Sequence, residues 1–458
     1  MIIISCGIFH LRSDNIYENV ITQYKSYNVR PLAFFTDAYV FSWFWDNMYT
    51  LLVLMIIMHI ANLYFIYKIC EKIDVKLNAF SMCLFALAPI LIEALYWISA
   101  STRIVFSLFL CLASIYLLLQ SFEEEKKSIR LVKFMSAIIL NLICVGYYEQ
   151  TIALNLFLFV FVMICLKKYK YIFIPIMSTG WIGAWYVYFM MKGEMQARGS
   201  LNLTGLFGTA IECVKMVWTN LKHGYSYFIV LLDFGMDTFF TSGFSLILLG
   251  VIAYLIFYIY KNKCVNDENK RIWRKLILGT ILFVSPFLPF IVLETNVIAV
   301  RNMYLGFLGL AIIAETIFDL LLRFIKNEKA CNIIKTGTLG IIIVLFVIAN
   351  VDGCNNYKKV NAIDNKVANQ IIGVISEDDF SAKKTISINY NSDELYKYKN
   401  LSNYVESVVE AGWAMMGKIQ VSKDNTNVGN IYINEKEDEA DYVLYFDHEM
   451  NLVAGKKN

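Results

Sequence analysis

The chain has 458 residues, of which 58% are hydrophobic and 17% charged, with a mean hydropathy of +0.53. Soluble globular proteins carry fewer apolar and more charged residues, so this balance excludes an ordinary cytosolic enzyme and calls for many membrane helices. The net charge of +3 hides an asymmetry: residues 351–458 hold 17 acidic and 12 basic residues, net −5, which leaves +8 on the rest.

Residues 1–11 are apolar but shorter than the roughly 20 residues a spanning helix needs. They have no charged leader and no small-residue cleavage site, unlike a signal peptide. They read as the end of a first helix whose start precedes this sequence. A polar, aromatic loop follows at 12–47, with Asp14, Glu18, Arg30-Pro31-Leu32 and Asp37. Apolar runs then predict ten spans, at about 48–67, 78–92, 104–120, 131–148, 151–166, 171–191, 242–260, 276–293, 303–322 and 333–350. Runs this long exclude barrel strands. The expected fold class is therefore an α-helical polytopic membrane protein of about 10–11 transmembrane helices, with a small external α/β domain at the C-terminus.

Orientation follows from lysine and arginine in the loops. The loops at 67–77, 121–133, 167–170, 261–275 and 323–335 hold 20 basic residues, and those at 93–103, 149–150, 192–241 and 294–302 hold 6. The first set is expected on the cytoplasmic side. The first external loop (12–47), the large external loop (192–241) and residues 351–458 are expected outside. Within 192–241 an amphipathic segment near 209–222 suits a helix lying on the membrane. Pro286 and Pro289 predict a kink before Arg301.

Between two apolar runs, the stretch from Pro89 to Arg103 reads PILIEALYWISASTR. It places Glu93, Trp97 and Arg103 at the edge of hydrocarbon, where a charge costs about 2.5–3.5 kcal/mol on insertion scales. An aromatic belt with a snorkelling arginine explains Trp97 alone. Two opposite charges in one turn point instead to a site. Glu149 stands between two nearly continuous spans, and Arg301 opens a late one.

The tail shows a helical pattern at 356–376, a strand at KTISINY, a helix at about 393–411, and strand-like runs at KIQVS, NIYIN and DYVLYFD. Its acidic runs, Asp378-Asp379 and Glu435 to Asp441, read as solvated surface. The ten cysteines and four histidines show no disulfide framework or metal motif.

These residues resemble the GT-C class of membrane glycosyltransferases, most closely the protein O-mannosyltransferase and bacteriophage-type glucosyltransferase relatives. Four pieces carry the likeness. Arg30-Pro31-Leu32 looks like an RPL signature late in the first external loop. His59 and Asn62 are similar to an H-x-x-N pattern in the next span. LFALAPILIEALYWISASTR, with Pro89, Glu93, Trp97 and Arg103, resembles the family's "LFALHP…TEAVAWI…R" turn. Arg301 and Tyr304 resemble a late R-x-x-Y. The likeness covers about residues 12–350, a transmembrane domain of 1–350, and not the soluble extracytoplasmic domain at 351–458. It implies sugar transfer from a polyprenyl-phosphate-linked donor at the outer face of the cell membrane, to a lipid-linked glycan, polysaccharide or protein. Such enzymes carry an acidic pair in the first external loop, where this chain has Ser13-Asp14-Asn15, a single carboxylate.

The chemistry of such a reaction suits the same residues. An anionic phosphate at headgroup depth calls for permanently charged, bidentate donors, and Arg103, Arg301 and Arg30 are the candidates. Fixed cations there stabilise the charge gathering on the leaving phosphate. An acceptor hydroxyl needs a carboxylate to take its proton, with Asp14 first and Glu93 second. Glu149, Trp97, Tyr148 and Tyr304 are candidates to orient acceptor or sugar. A single displacement with one base would invert the anomeric centre. No organic cofactor or nucleic acid is called for. A divalent metal stays open, because Asp14, Glu93, Asp233 and Asp237 share a face, although each acid could equally be a structural ion pair. The alternative reading is a flippase or polymerase of lipid-linked glycans, or another non-catalytic envelope protein. A transporter would show charged residues at mid-span, and only His59 and Asn62 are strongly polar there.

Overall fold

The computed structural model describes residues 29–41, 44, 48–194, 205–241, 250, 253, 269–293, 297–325, 327–390, 412, 415–416, 418–419 and 429–458. Its helices are α1 (Pro31–Tyr39), α2 (Met48–Lys72), α3 (Ala79–Leu87), α4 (Ile92–Tyr96), α5 (Ile98–Glu123), α6 (Lys127–Cys144), α7 (Glu149–Cys165) and α8 (Phe173–Met191). They continue as α9 (Leu206–Thr241), α10 (Asn269–Val284), α11 (Leu288–Val292), α12 (Met303–Leu322), α13 (Glu328–Val374) and α14 (Glu377–Ser381). Four strands follow: β1 (Ile386–Tyr390), β2 (Ile431–Ile433), β3 (Tyr442–Phe446) and β4 (Leu452–Lys457).

Among the described residues, six helices are long and apolar enough to cross a membrane, or seven if one bent pair counts as a span. That marks the chain as a multi-pass helical membrane protein. The six answer to the expected spans at 48–67, 104–120, 171–191, 276–293, 303–322 and 333–350. The span expected at 78–92 is broken. Proline lacks an N–H, so α3 ends at Leu87, Ala88 turns extended, and the chain resumes at Pro89 bent by 45°. The spans expected at 131–148 and 151–166 are α6 and α7, of 18 and 17 residues. The first begins among Lys127, Arg130 and Lys133. Of the span expected at 242–260 only residues 250 and 253 are described, both helical, and the helix end at 1–11 lies outside the described residues.

The basic loops share one end of the bundle. Lys72 pairs with Glu123 (2.5 Å), Lys133 with Glu124 (2.6 Å) and Arg274 with Asp74 (3.8 Å). At this end the buried Glu315 carboxylate accepts from the backbone N–H of Asn78 (3.1 Å) and Ser81 (2.9 Å), capping α3. It also pairs with the buried Lys275, while Lys335 pairs with Asp319 (2.5 Å). Four elements are thereby tied together by charges that have left water as partners.

Inside the bundle, α10 and α12 come into backbone contact. A Cβ on Gly309 would lie 2.2 Å from the nitrogen of Phe283 and 2.4 Å from the carbonyl oxygen of Gly279, so only glycine fits. A reciprocal amide pair, Asn141 to Asn155 (2.8 Å) and back (3.1 Å), joins α6 to α7.

The helical pattern expected separately at 356–376 is the continuation of the last span. α13 runs unbroken for 47 residues, about 70 Å at 1.5 Å per residue, more than twice a hydrocarbon core. Its far turns bury Val367, Ala368, Ile371 and Ile375 against β1 and β3. The sheet order is β2-β1-β3-β4, with β1 parallel to both neighbours and β4 antiparallel to β3. KTISINY, NIYIN and DYVLYFD supply β1, β2 and β3. Of KIQVS, the described residues Lys418 and Ile419 are helical, and the rest lie outside the described residues. The helix expected at 393–411 lies outside the described residues. The acidic residues here have structural partners. Asp441 accepts from Lys384 (2.9 Å) and Thr385 (2.7 Å), and Asp379 accepts from Lys457 (2.8 Å) and Tyr442 (2.5 Å).

Candidate functional site

The end of the bundle opposite the basic loops holds a cavity of about 500 Å³. Its wall includes Arg30, Trp97, Arg103, Tyr148, Glu149, Arg301 and Asn302, with Ala100, Phe290 and Leu293 on its apolar side. Four separate stretches of chain build it.

The broken span brings the first. After Pro89, α4 carries Glu93 in its first turn. Trp97 then leaves helical geometry (ψ 89°), and its carbonyl accepts from Ala100 (2.8 Å) and Ser101 (2.9 Å) to start α5. The new helix puts Arg103 on the cavity wall.

The second and third stretches dock on each other. The backbone N–H of Leu32 donates to the carbonyl of Gly146 (3.1 Å), and Tyr186 Oη donates to the carbonyl of Val29 (2.9 Å). Arg30 is thereby held over the turn between α6 and α7. It donates from Nε to Glu149 Oε2 (2.7 Å) and from Nη2 to Oε1 (2.5 Å), a fork-to-fork pair. Its guanidinium also lies 4.4 Å from the ring centroid of Tyr148. Burial works against the charge on both partners, yet each offsets it for the other. The Arg30 pKa rises and the Glu149 carboxyl falls below its ordinary value. Glu149 also sits in the first turn of α7, where the helix dipole favours an anion.

The fourth stretch is the short 3-10 turn Val300–Asn302 that opens α12. Glu93 accepts from Arg301 Nη1 (2.7 Å) and from the Arg301 backbone N–H (3.1 Å). Arg301 lies over the Trp97 ring, 4.2 Å from its centroid. Asn302 joins the two ion pairs: its amide donates to Tyr148 Oη and to Gln150 Oε1 (3.2 Å), while Gln150 Nε2 donates to the Asn302 carbonyl (3.2 Å).

Of the candidates read from sequence, Arg30, Trp97, Arg103, Tyr148, Glu149 and Arg301 meet around one cavity, and Glu93 binds one of its walls. Tyr304 does not line the cavity. It is fully buried, and its hydroxyl meets His59 Nδ1 (2.7 Å) and Asn62 Nδ2 (3.3 Å). Asp14 lies outside the described residues, as do the side chains of Asp37, Asp233 and Asp237. Among the described residues, no group of three or more histidines, cysteines or acids gathers as metal ligands. Gln150 and Asn302 were missed; each is an amide directly after a charged candidate in an otherwise apolar run.

The cavity wall carries three guanidiniums against the carboxylate of Glu149, and Glu93 offsets one more. Such a site can hold an anion with forked donors, next to aromatic and aliphatic surface.

No protein family, curated protein or solved structure matches this chain.

Proposed function

We propose that this protein transfers a sugar from a polyprenyl-phosphate-linked donor to a cell-envelope acceptor at the outer face of a membrane, as GT-C glycosyltransferases do. The observation that carries the reading is the meeting of three guanidiniums, those of Arg30, Arg103 and Arg301, in one cavity also walled by Trp97, Tyr148, Phe290 and Leu293. A phosphate on a prenyl chain is an anion on an apolar stem, and needs both kinds of wall.

In this reading Arg103 and Arg301 hold the donor phosphate. The acceptor oxygen attacks the anomeric carbon, its proton passes to a carboxylate, and the polyprenyl phosphate leaves with the bonding pair. The guanidiniums are worth most as that charge develops. Both Glu93 oxygens already accept from Arg301, so Glu93 positions that arginine and Asp14 is left as the base. Glu149 holds Arg30 in the same way. The lysine-rich end faces the cytoplasm by the positive-inside rule, which puts the cavity and the 351–458 domain outside.

The test is transfer by the reconstituted protein from a synthetic polyprenyl-phosphate sugar. Sugar transfer with release of polyprenyl phosphate is expected, lost in Asp14→Asn and Arg103→Gln proteins that remain folded. Movement of a labelled lipid-linked glycan across the bilayer with its sugar–phosphate bond intact would favour a flippase instead.

A further inference from the structure

We infer that α9 is an interfacial helix whose exposed side binds an anionic lipid surface, an interaction separate from the cavity and its proposed chemistry. The helix has 36 residues, about 54 Å, too long to stand upright within hydrocarbon. Besides packing along α13, its middle part passes from one stretch of the bundle to the next. Asn220 donates to the carbonyl of Ile298 (2.7 Å), just before Arg301. One turn on, a Cβ on Gly224 would meet Ile90 at 2.5 Å. One turn further, Phe228 meets the Phe346 ring (5.4 Å between centroids) and packs beside Ala349. Ile298, Ile90 and Ala349 belong to three different stretches, all near the end that carries Trp97. This middle part of the helix therefore lies across that end.

The sequence divides the helix surface into three sectors. Cys213, Asn220 and Gly224 face the bundle and are buried. Phe207, Val214, Trp218 and Tyr225 fall in one sector about 40° wide when wound at about 100° per residue. Each is at least 66% exposed. A contiguous aromatic stripe of this kind on a membrane protein meets acyl chains or a partner. The adjoining sector decides between them. Lys215 and Lys222 follow directly beside the stripe, both exposed, with Glu212 and His223 farther round. Lysines flanking an aromatic stripe place ammonium groups at headgroup height when the rings are in the acyl boundary. An ammonium at that height is attracted to an anionic headgroup and not to a zwitterionic one.

The full chain is reconstituted in bilayers, and Trp218 emission is read as the difference between the native protein and Trp218→Phe. Lipids brominated near the carbonyl end of the acyl chain should quench this difference signal, and aqueous iodide should not. At equal bromine content, phosphatidylglycerol should quench at least twofold more than phosphatidylcholine. A Lys215→Gln/Lys222→Gln protein should lose that preference but keep the quenching. Equal quenching by the two lipids in the native protein would overturn the anionic selectivity. Iodide quenching without lipid quenching would place the stripe in water. Protection from both, with cross-linking between copies from position 218, would assign the stripe to a second copy.

Discussion

Arg301 is stacked on Trp97, 4.2 Å from the ring centroid, and Trp97 also packs against the hydrophobic core of the C-terminal sheet. One indole thus touches both the cationic wall of the cavity and the folded tail. A second tie lies alongside, where the Cys354 thiol on α13 donates to Tyr96 Oη (2.8 Å). The tail is seated on the rim of the cavity and not hung from a free linker.

Trp97→Ala should unseat the tail and remove the ring on which Arg301 stacks, leaving Arg301 its pair with Glu93. The stack is worth about 0.5–2 kcal/mol. Limited proteolysis of the full chain should cut within 351–458 several-fold faster, while Trp97→Phe should stay near the native rate.

Removing a cation from the cavity should act on turnover more than on folding. Deleting one preorganised donor to a developing charge costs about 100- to 1000-fold in rate. Arg103→Gln should show that loss in sugar transfer, with thermal stability close to native. Glu149→Gln should differ, leaving Arg30 buried and charged beside a neutral amide. It should cost about 3–5 kcal/mol of stability, read as a lower melting temperature.

Gly309→Ala should separate α10 from α12, because the added carbon meets backbone atoms that cannot rotate away. Overpacking of this kind costs about 1–3 kcal/mol. Folded yield in detergent should fall, and Gly337→Ala, where nothing lies within 4 Å, should leave it unchanged.

The tail should be labile to acid at a defined place. Lys384 and Thr385 lower the Asp441 pKa from 3.8 to about 2. Lys457 and Tyr442 lower that of Asp379 in the same direction. A depressed carboxylate contributes stability that is complete above its unfolded pKa and is lost as pH falls through the folded value. Protease resistance of the tail should therefore hold at pH 5 and decline from about pH 4 towards 2. Asp441→Asn should be less resistant at pH 5 and show a shallower decline.

Local features carried much of this architecture in the sequence. A proline ending an apolar run, followed by Glu93 and Trp97, marks a turn whatever surrounds it. The basic loops sort to one end because lysine and arginine resist translocation. Pairings were not legible. Arg30 and Glu149 are 119 residues apart, and no local pattern links them. Nor does composition show that Glu93 would be occupied by Arg301, or that Tyr304 would turn inward to His59. The length of α13 was hidden because its surface changes from apolar to polar after residue 350, where Gly353 reads as a helix end although no proline stops the helix. The helical geometry of Lys418 and Ile419 was hidden in a strand-like run, because a short apolar run has no period long enough to tell strand from helix.

The central claim is that the cavity holds a phosphate on an apolar chain. The direct measurement compares binding of polyprenyl phosphate and of the matching polyprenol to the purified full chain. A phosphate site predicts at least tenfold tighter binding of the phosphate, about 1.4 kcal/mol, abolished when Arg103 and Arg301 are both changed to glutamine. Equal affinity for the two lipids, or phosphate binding unchanged in that double variant, would contradict it.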